Sequence, residues 1–214
     1  GFERTNYPDG YFDVAIGNVP FGDYRVNDPV YNSHGFLIHD YFFAKTLDKL
    51  RAGGVAAYIT TKGTMDKEST KVREFLFKKA ELLGAIRLPN TAFKNAGTKV
   101  TADILFLQKR EREIENPEWT TITEDAQGFR INSYFVQHPE MILGTMQEIS
   151  GPYGMETTCV EKEGVPLGER LRAAISHITG HIPERVEEER AEFRYEAEQP
   201  TDAPDASEVR MYSY

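Results

Sequence analysis

An apolar run that stops at a stiff polar corner constrains this chain more than any other stretch: Asp13-Val-Ala-Ile-Gly-Asn-Val-Pro-Phe-Gly22. Val14, Ala15 and Ile16 form the continuous apolar sequence that a central parallel strand needs when both of its faces are covered. Gly17 and Gly22 permit backbone geometry that other residues resist. Pro20 fixes its own φ and pushes Val19 towards an extended conformation. The stretch predicts a strand that opens at its carboxyl end into a rigid loop, where open α/β sheets hold their ligands. Asn18 and Phe21 then stand at the mouth of a cleft. An amide beside an aromatic face suits a planar ring that carries hydrogen-bonding groups.

The pattern that follows extends an α/β reading. Residues 23–35 are loop-like, with Asp28-Pro29, Asn32-Ser33 and Gly35 as punctuation. A helix is predicted over about residues 36–51, with Phe36, Phe43, Leu47 and Leu50 on one face and Gly53-Gly54 as its stop. Val55–Ile59 reads as a second buried strand, which completes a right-handed βαβ unit and opens into Thr60-Thr61-Lys62-Gly63-Thr64. Asp66 is the expected cap of a helix over about 67–80, with Val72, Phe75, Leu76 and Ala80 as its buried stripe. Leu83–Leu88 and Val100–Gln108 read as third and fourth strands. The polar loop Pro89–Thr98 between them carries one aromatic, Phe93.

Asn18-Val19-Pro20-Phe21 resembles the Asn-Pro-Pro-Phe/Tyr motif of S-adenosylmethionine-dependent amino methyltransferases, above all the DNA adenine-N6 methyltransferases, with Val19 in place of the usual first proline. The resemblance implies an α/β fold: the carboxyl-terminal half of a class I, Rossmann-like methyltransferase sheet, mostly parallel with a terminal antiparallel hairpin, plus a small α+β extension. It also implies a chemistry. The N6 lone pair of adenine is delocalised into the ring and is a poor nucleophile. Two acceptors, the Asn18 side-chain oxygen and the Val19 carbonyl, can bind its two N–H groups and favour a pyramidal nitrogen, which is positioning plus preorganised electrostatics. A valine keeps that carbonyl and loses only a conformational lock. Phe21 would stack on an adenine swung out of double-stranded DNA, because such chemistry cannot be done inside the base stack.

Further residues take roles from the same resemblance. Phe93 is the candidate for a second ring against the flipped base, set against a plain packing role. Lys62, Lys94 and Lys99 are candidates for DNA phosphates, set against simple solvation. Glu3 is a possible counterpart of the family's acidic contact to the donor's adenosine, set against a solvated carboxylate. The donor site in this family is built by a glycine-rich turn after one strand and an acidic end to the next, both ahead of the catalytic loop. Only 17 residues precede Asn18, so the expectation is a fragment whose S-adenosylmethionine-binding half is missing, inactive alone and binding no cofactor itself. The chain starts at Gly1 rather than Met, in keeping with an excised piece of a larger protein.

Beyond Arg110 the composition changes. Residues 1–110 hold 16 Lys+Arg against 12 Asp+Glu, and residues 111–214 hold 9 against 22, so the net charge of −9 hides a basic first half compatible with DNA. The expected domains are 1–110, a partial catalytic domain; 111–183, a small extension with short strands and a helix over about 165–178; and 184–214, an acidic helical or disordered tail. Gly151–Gly154 reads as a turn. Ile131-Asn-Ser-Tyr-Phe with His138-Pro-Glu resembles the region after the methylase core in large mobile-element and phage proteins, where a helicase-like part follows. No apolar run approaches the ~18 residues of a membrane span. Cys159 is the only cysteine, which fits a reducing, cytoplasmic setting, and the five histidines show no metal-ligand spacing. The leading reading is a piece of a restriction-modification or mobile-element adenine-N6 methyltransferase. Its alternatives are a methyltransferase acting on RNA or on protein glutamine, and a non-catalytic DNA-docking or protein-interaction module.

Overall fold

The computed structural model describes residues 1–151 and 154–185 of the 214-residue chain. Gly1–Ile182 form one compact unit. Nearly all of the acidic tail lies outside the described residues, as do the two central residues of the turn expected at 151–154.

Four strands make the main sheet: β1 (Phe12–Asn18), β2 (Leu50–Thr61), β3 (Ala80–Leu88) and β4 (Ala102–Lys109), in the spatial order β1-β2-β4-β3. β1 and β2 are parallel and joined through helix α1 (Ile38–Lys49), so the expected βαβ unit is present. β4 runs antiparallel to both of its neighbours and slots between β2 and β3. The terminal hairpin is therefore folded back into the sheet, and β3 regains the direction of β1 and β2.

Alternation along the strands sets which face is core. Ala56, Tyr58 and Thr60 of β2 and Leu105 and Leu107 of β4 are buried. Phe43 and Leu47 of α1 and Leu76 and Phe77 of α3 (Lys71–Lys79) belong to the same apolar cluster. The intervening residues, Val55, Ala57, Ile59, Ile104 and Phe106, are only half covered. On the β3 side Ile178 packs against Gly84, where a Cβ would come within 2.8 Å of it, so glycine permits the approach. At the other end the cover runs out: Val14 is 45% exposed and Ile16 79%. The central position expected for β1 is thus not what the fold gives it. Among the described residues β1 pairs only with β2 and forms the sheet's edge.

Two further boundaries differ from expectation. α1 ends at Lys49, and Gly53-Gly54 lie inside β2 rather than beyond a helix. Gly53 adopts φ 77°, and a Cβ on Gly54 would meet the Phe12 and Asp13 carbonyls at 3.2 and 3.0 Å. The glycine pair serves an irregular, close pairing with β1, whose register breaks between Phe12 and Val14. Asp66 does not cap α3. It closes a single helical turn, α2 (Gly63–Asp66), and its carboxylate accepts from the Asn132 backbone N–H at 3.0 Å.

The extension holds the hairpin β5–β6 (Ile122–Glu124, Arg130–Asn132), helix α4 (Ser133–Gln137), the longer hairpin β7–β8 (Gly144–Gly151, Gly154–Glu161) and helix α5 (Leu167–Ile175). It packs against a buried ionic cluster of the sheet and α2. Arg87 of β3, 0% exposed, donates to both carboxylate oxygens of Asp103 at 2.9 and 2.8 Å, and its Nη1 lies 2.7 Å from Asp66 Oδ2. The guanidinium also stacks 4.2 Å from the Phe135 ring centroid of α4. Burial alone would lower its pKa, but the two carboxylates outweigh burial and hold the cation charged. Asn132 ties the same corner together, donating to Met65 O at 3.1 Å and Trp119 O at 2.8 Å while capping α4 through Tyr134 N–H.

Cys159 of β8 is fully buried beside this corner, and burial pushes its thiol up to about 11. Alkylation by iodoacetamide at pH 8 should run at least ~10-fold slower in the folded chain than in urea, because both thiolate fraction and access are low. Equal rates in the two states would contradict the burial.

Candidate functional site

The Asn18–Phe21 corner is built by the end of the β1–β2 ladder. Asn18 is in register with Ile59, and the Val19 N–H donates to Ile59 O at 3.1 Å, carrying the pairing one residue past the strand. Pro20 has no N–H to continue it, so the chain turns away there. Val19 is 3% exposed and sits in the main core, so its side chain anchors the corner from inside. The sequence reading gave position 19 only a carbonyl; the anchoring role emerges from packing.

Asn18 is exposed, and its carboxamide forms no hydrogen bond with the described residues. Phe21 is 38% exposed. A free amide and a partly bare aromatic therefore stand together at the carboxyl end of the edge strand. The loop beyond them is held down. Tyr24 O accepts from Ile38 N–H at 2.9 Å at the start of α1. Asp28, buried, accepts from the Tyr41 hydroxyl at 2.8 Å and Lys45 Nζ at 3.1 Å. Those bonds outweigh the desolvation of Asp28 and keep its pKa below the ordinary carboxylate value.

The lysines and Phe93 lie in different surroundings. Lys62 is part-buried, with Nζ donating to the Thr157 carbonyl and to Thr157 Oγ1 of β8. Burial holds its pKa below the usual lysine value against the pull of Asp66. Lys94 is exposed on a 3-10 turn over Lys94–Ala96, and Lys99 is exposed at the end of the same loop. Phe93 is half-buried and packs against the main core. Glu3 pairs with the Gly1 amine at 3.2 Å and lies 3.8 Å from Arg4 Nε.

Hairpin β7–β8, which sequence reasoning did not place, is planted on this rim. Asn90 N–H donates to Cys159 O at 2.7 Å, Asn90 Nδ2 to Thr158 Oγ1 at 3.1 Å, and Cys159 N–H to Thr101 Oγ1 at 2.9 Å. Between hairpin and rim lies a cavity of about 330 Å³, whose lining includes Thr61, Lys62, Asn90, Lys99, Ile149 and Glu156. A larger cavity of about 520 Å³, walled by Phe129, Phe135, Ile142 and Met146, lies within the extension and takes no residue from the rim loops.

The sequence profile of the N-6 DNA methylase family matches residues 2–134. The chain belongs to that family. The N-6 DNA methylase match takes in the whole main sheet, the Asn18–Phe21 corner and the Phe93 loop, and it ends inside α4, short of β7–β8. Over 111 residues the chain is 34% identical to "Defense against restriction protein B" of Escherichia phage P1, a stretch that is 50% of this chain and 5% of that protein. Among solved structures, the M protein of the type I restriction enzyme EcoKI is 21% identical, covering 51% of this chain and 23% of that one with a TM-score of 0.39. A class I S-adenosylmethionine-dependent methyltransferase described as putative, from Listeria monocytogenes, is 24% identical over 53% of this chain and 35% of that one, also with a TM-score of 0.39. Among the described residues no helix is long and apolar enough to cross a membrane.

Proposed function

We propose that this chain is the target-handling part of a DNA adenine-N6 methyltransferase, whose parent transfers a methyl group from S-adenosylmethionine to an adenine flipped out of the duplex. The observation that carries this reading is the free Asn18 carboxamide at the carboxyl end of β1, beside half-exposed Phe21 and backed by core-anchored Val19. Asn18 Oδ1 and the Val19 carbonyl accept the two N6–H groups and draw the nitrogen out of conjugation, so that its lone pair faces the methyl carbon. Phe21 stacks on the purine, Phe93 bounds it from the loop after β3, and Lys94 and Lys99 meet backbone phosphates.

The described residues do not by themselves fit the methyl donor. No glycine-rich turn follows a strand ahead of Asn18, and the flank of β1 where such a half would pack carries bare Val14 and Ile16. Glu3, the one acidic candidate, is already paired with the Gly1 amine. We therefore assign donor binding to another part of the parent and inactivity to this chain alone, with a helicase-like or specificity region as a further parental part and the cytoplasm as its setting. The same bare flank is what a non-catalytic docking module of this family would also show.

Calorimetry with S-adenosylmethionine separates these readings. Binding is expected for a polypeptide extended upstream through the family's donor half, and not for this chain. Binding by neither would leave the docking module standing and remove the enzymatic reading.

A further inference from the structure

The cavity beneath hairpin β7–β8 has a composition and a position that the target adenine alone does not require. Its lining mixes two lysines, Lys62 and Lys99, with the carboxylate-bearing Glu156 and the apolar Ile149. That mixture does not suit a lone anion, which Glu156 would repel, or an apolar ligand. It suits a nucleotide: cations for the phosphate, an aliphatic wall for the face of the base, and a carboxylate that accepts from an exocyclic amine. A volume of about 330 Å³ is small for a folded peptide segment and sufficient for one nucleotide.

Register fixes where this cavity lies. Asn18 is opposite Ile59, and Thr61, on the cavity wall, is two residues further along β2. At the usual strand spacing and rise, the Thr61 Cα is about 8 Å from that of Asn18. That is roughly the separation of two neighbouring nucleotides once one of them has left the stack. The wall itself is tightly built. Lys62 is pinned by Thr157, and the hydroxyls of Thr101 and Thr158 lie 3.0 Å apart between rim and hairpin. Both hairpin strands lie outside the residues matched by the family profile.

We infer that the space between hairpin β7–β8 and the Lys62/Lys99 rim is a subsite for a nucleotide next to the target in the same DNA strand. Lys99 takes the phosphate, Ile149 faces the base, and Glu156 favours a base bearing an exocyclic amine (adenine, cytosine or guanine) over thymine. This inference rests on the methyltransferase reading for the identity of the neighbouring target, and it gives that site a sequence preference of its own.

The test is fluorescence anisotropy of the full chain with fluorescein-labelled single-stranded 15-mers, each with one adenine flanked by either cytosine or thymine, across a salt series. Lys99→Ala should weaken binding at least ~5-fold and reduce the salt slope by about one, the signature of one lost phosphate contact. Glu156→Gln should reduce the preference for cytosine over thymine flanks while leaving the salt slope intact. Lys78→Ala, at the opposite pole of the sheet where it pairs with Glu115, should change affinity less than ~2-fold. Wild-type affinity in Lys99→Ala together with an unchanged preference in Glu156→Gln would overturn the subsite, as would failure of the wild-type chain to bind either 15-mer. None of these measurements involves the methyl donor. A chain that binds DNA through Lys99 while its upstream-extended form takes no S-adenosylmethionine would keep the subsite and lose the enzymatic reading.

Discussion

Asn18→Ala in a full-length, active parent is expected to lower turnover by at least ~100-fold, since one oriented acceptor at a reacting nitrogen is worth a few kcal/mol. DNA affinity should barely move. The Asn18 side chain is exposed and forms no hydrogen bond with the described residues, so its removal leaves no buried group unsatisfied and no fold to repair. Its register partner Ile59 and the Val19 N–H bond to Ile59 O at 3.1 Å remain in place, so the corner keeps its course. A loss confined to the chemical step is therefore the diagnostic result, read from single-turnover methylation beside a binding isotherm. Near-normal turnover would show that the carboxamide does not hold the amine.

Arg87→Met is expected to cost about 3–5 kcal/mol of stability, because it strands buried carboxylates rather than merely removing an attraction. Asp103 is 0% exposed, and among the described residues the Asp66 carboxylate has only the Asn132 N–H besides the guanidinium. The deficit should also depend on pH. With the cation gone, burial raises the Asp103 carboxyl above its unfolded value of about 3.9, the direction in which desolvation already pulls it. A group raised on folding stabilises fully below its unfolded pKa, and that contribution fades as pH rises through the folded value. The variant should thus fall further behind the wild type at pH 8 than at pH 4. Urea unfolding followed by the fluorescence of Trp119, whose carbonyl accepts from Asn132 at 2.8 Å in the same corner, reads both effects. Replacing Asp103 by leucine in the same variant should recover part of the loss. A deficit below about 1 kcal/mol, constant with pH, would mean that the carboxylates reach water once the arginine is gone.

What could be read from the sequence follows the range of the forces involved. The β1 run, its stop at Pro20 and the exposure of Asn18 are decided within a few residues, by alternation, a missing N–H and a polar side chain. The parallel β1–α1–β2 unit and the β3–β4 pairing follow from periodicity over some tens of residues. Arg87 is different: in Leu83–Leu88 it looks like a polar interruption of an apolar strand. Its burial depends on Asp103 from the neighbouring strand and Asp66 from a separate turn. Asp66 itself looked like a helix cap because Lys71–Lys79 follows closely, but a buried cation outcompetes a cap worth about 1 kcal/mol. Gly53-Gly54 carry a helix-stop signature, yet Gly53 serves a left-handed φ of 77° and Gly54 a close approach to the Phe12 and Asp13 carbonyls, which no local pattern reveals. Of hairpin β7–β8 only the turn at 151–154 was expected, because Gly144–Gly151 is polar and weakly alternating and hydroxyls on a distant loop hold the strands in place. The edge position of β1 was hidden for the opposite reason: its composition is that of a strand with neighbours on both sides.

That mismatch between composition and position has a bearing on the polypeptide as a solute. A rim strand offers main-chain donors and acceptors to any other chain that can lie alongside it, and here the invitation is strengthened by a bare isoleucine at position 16. The net charge of −9 supplies the opposing repulsion. Since salt shortens the reach of that repulsion while leaving apolar contact intact, concentrated brine is the condition under which copies of this chain would begin to stack.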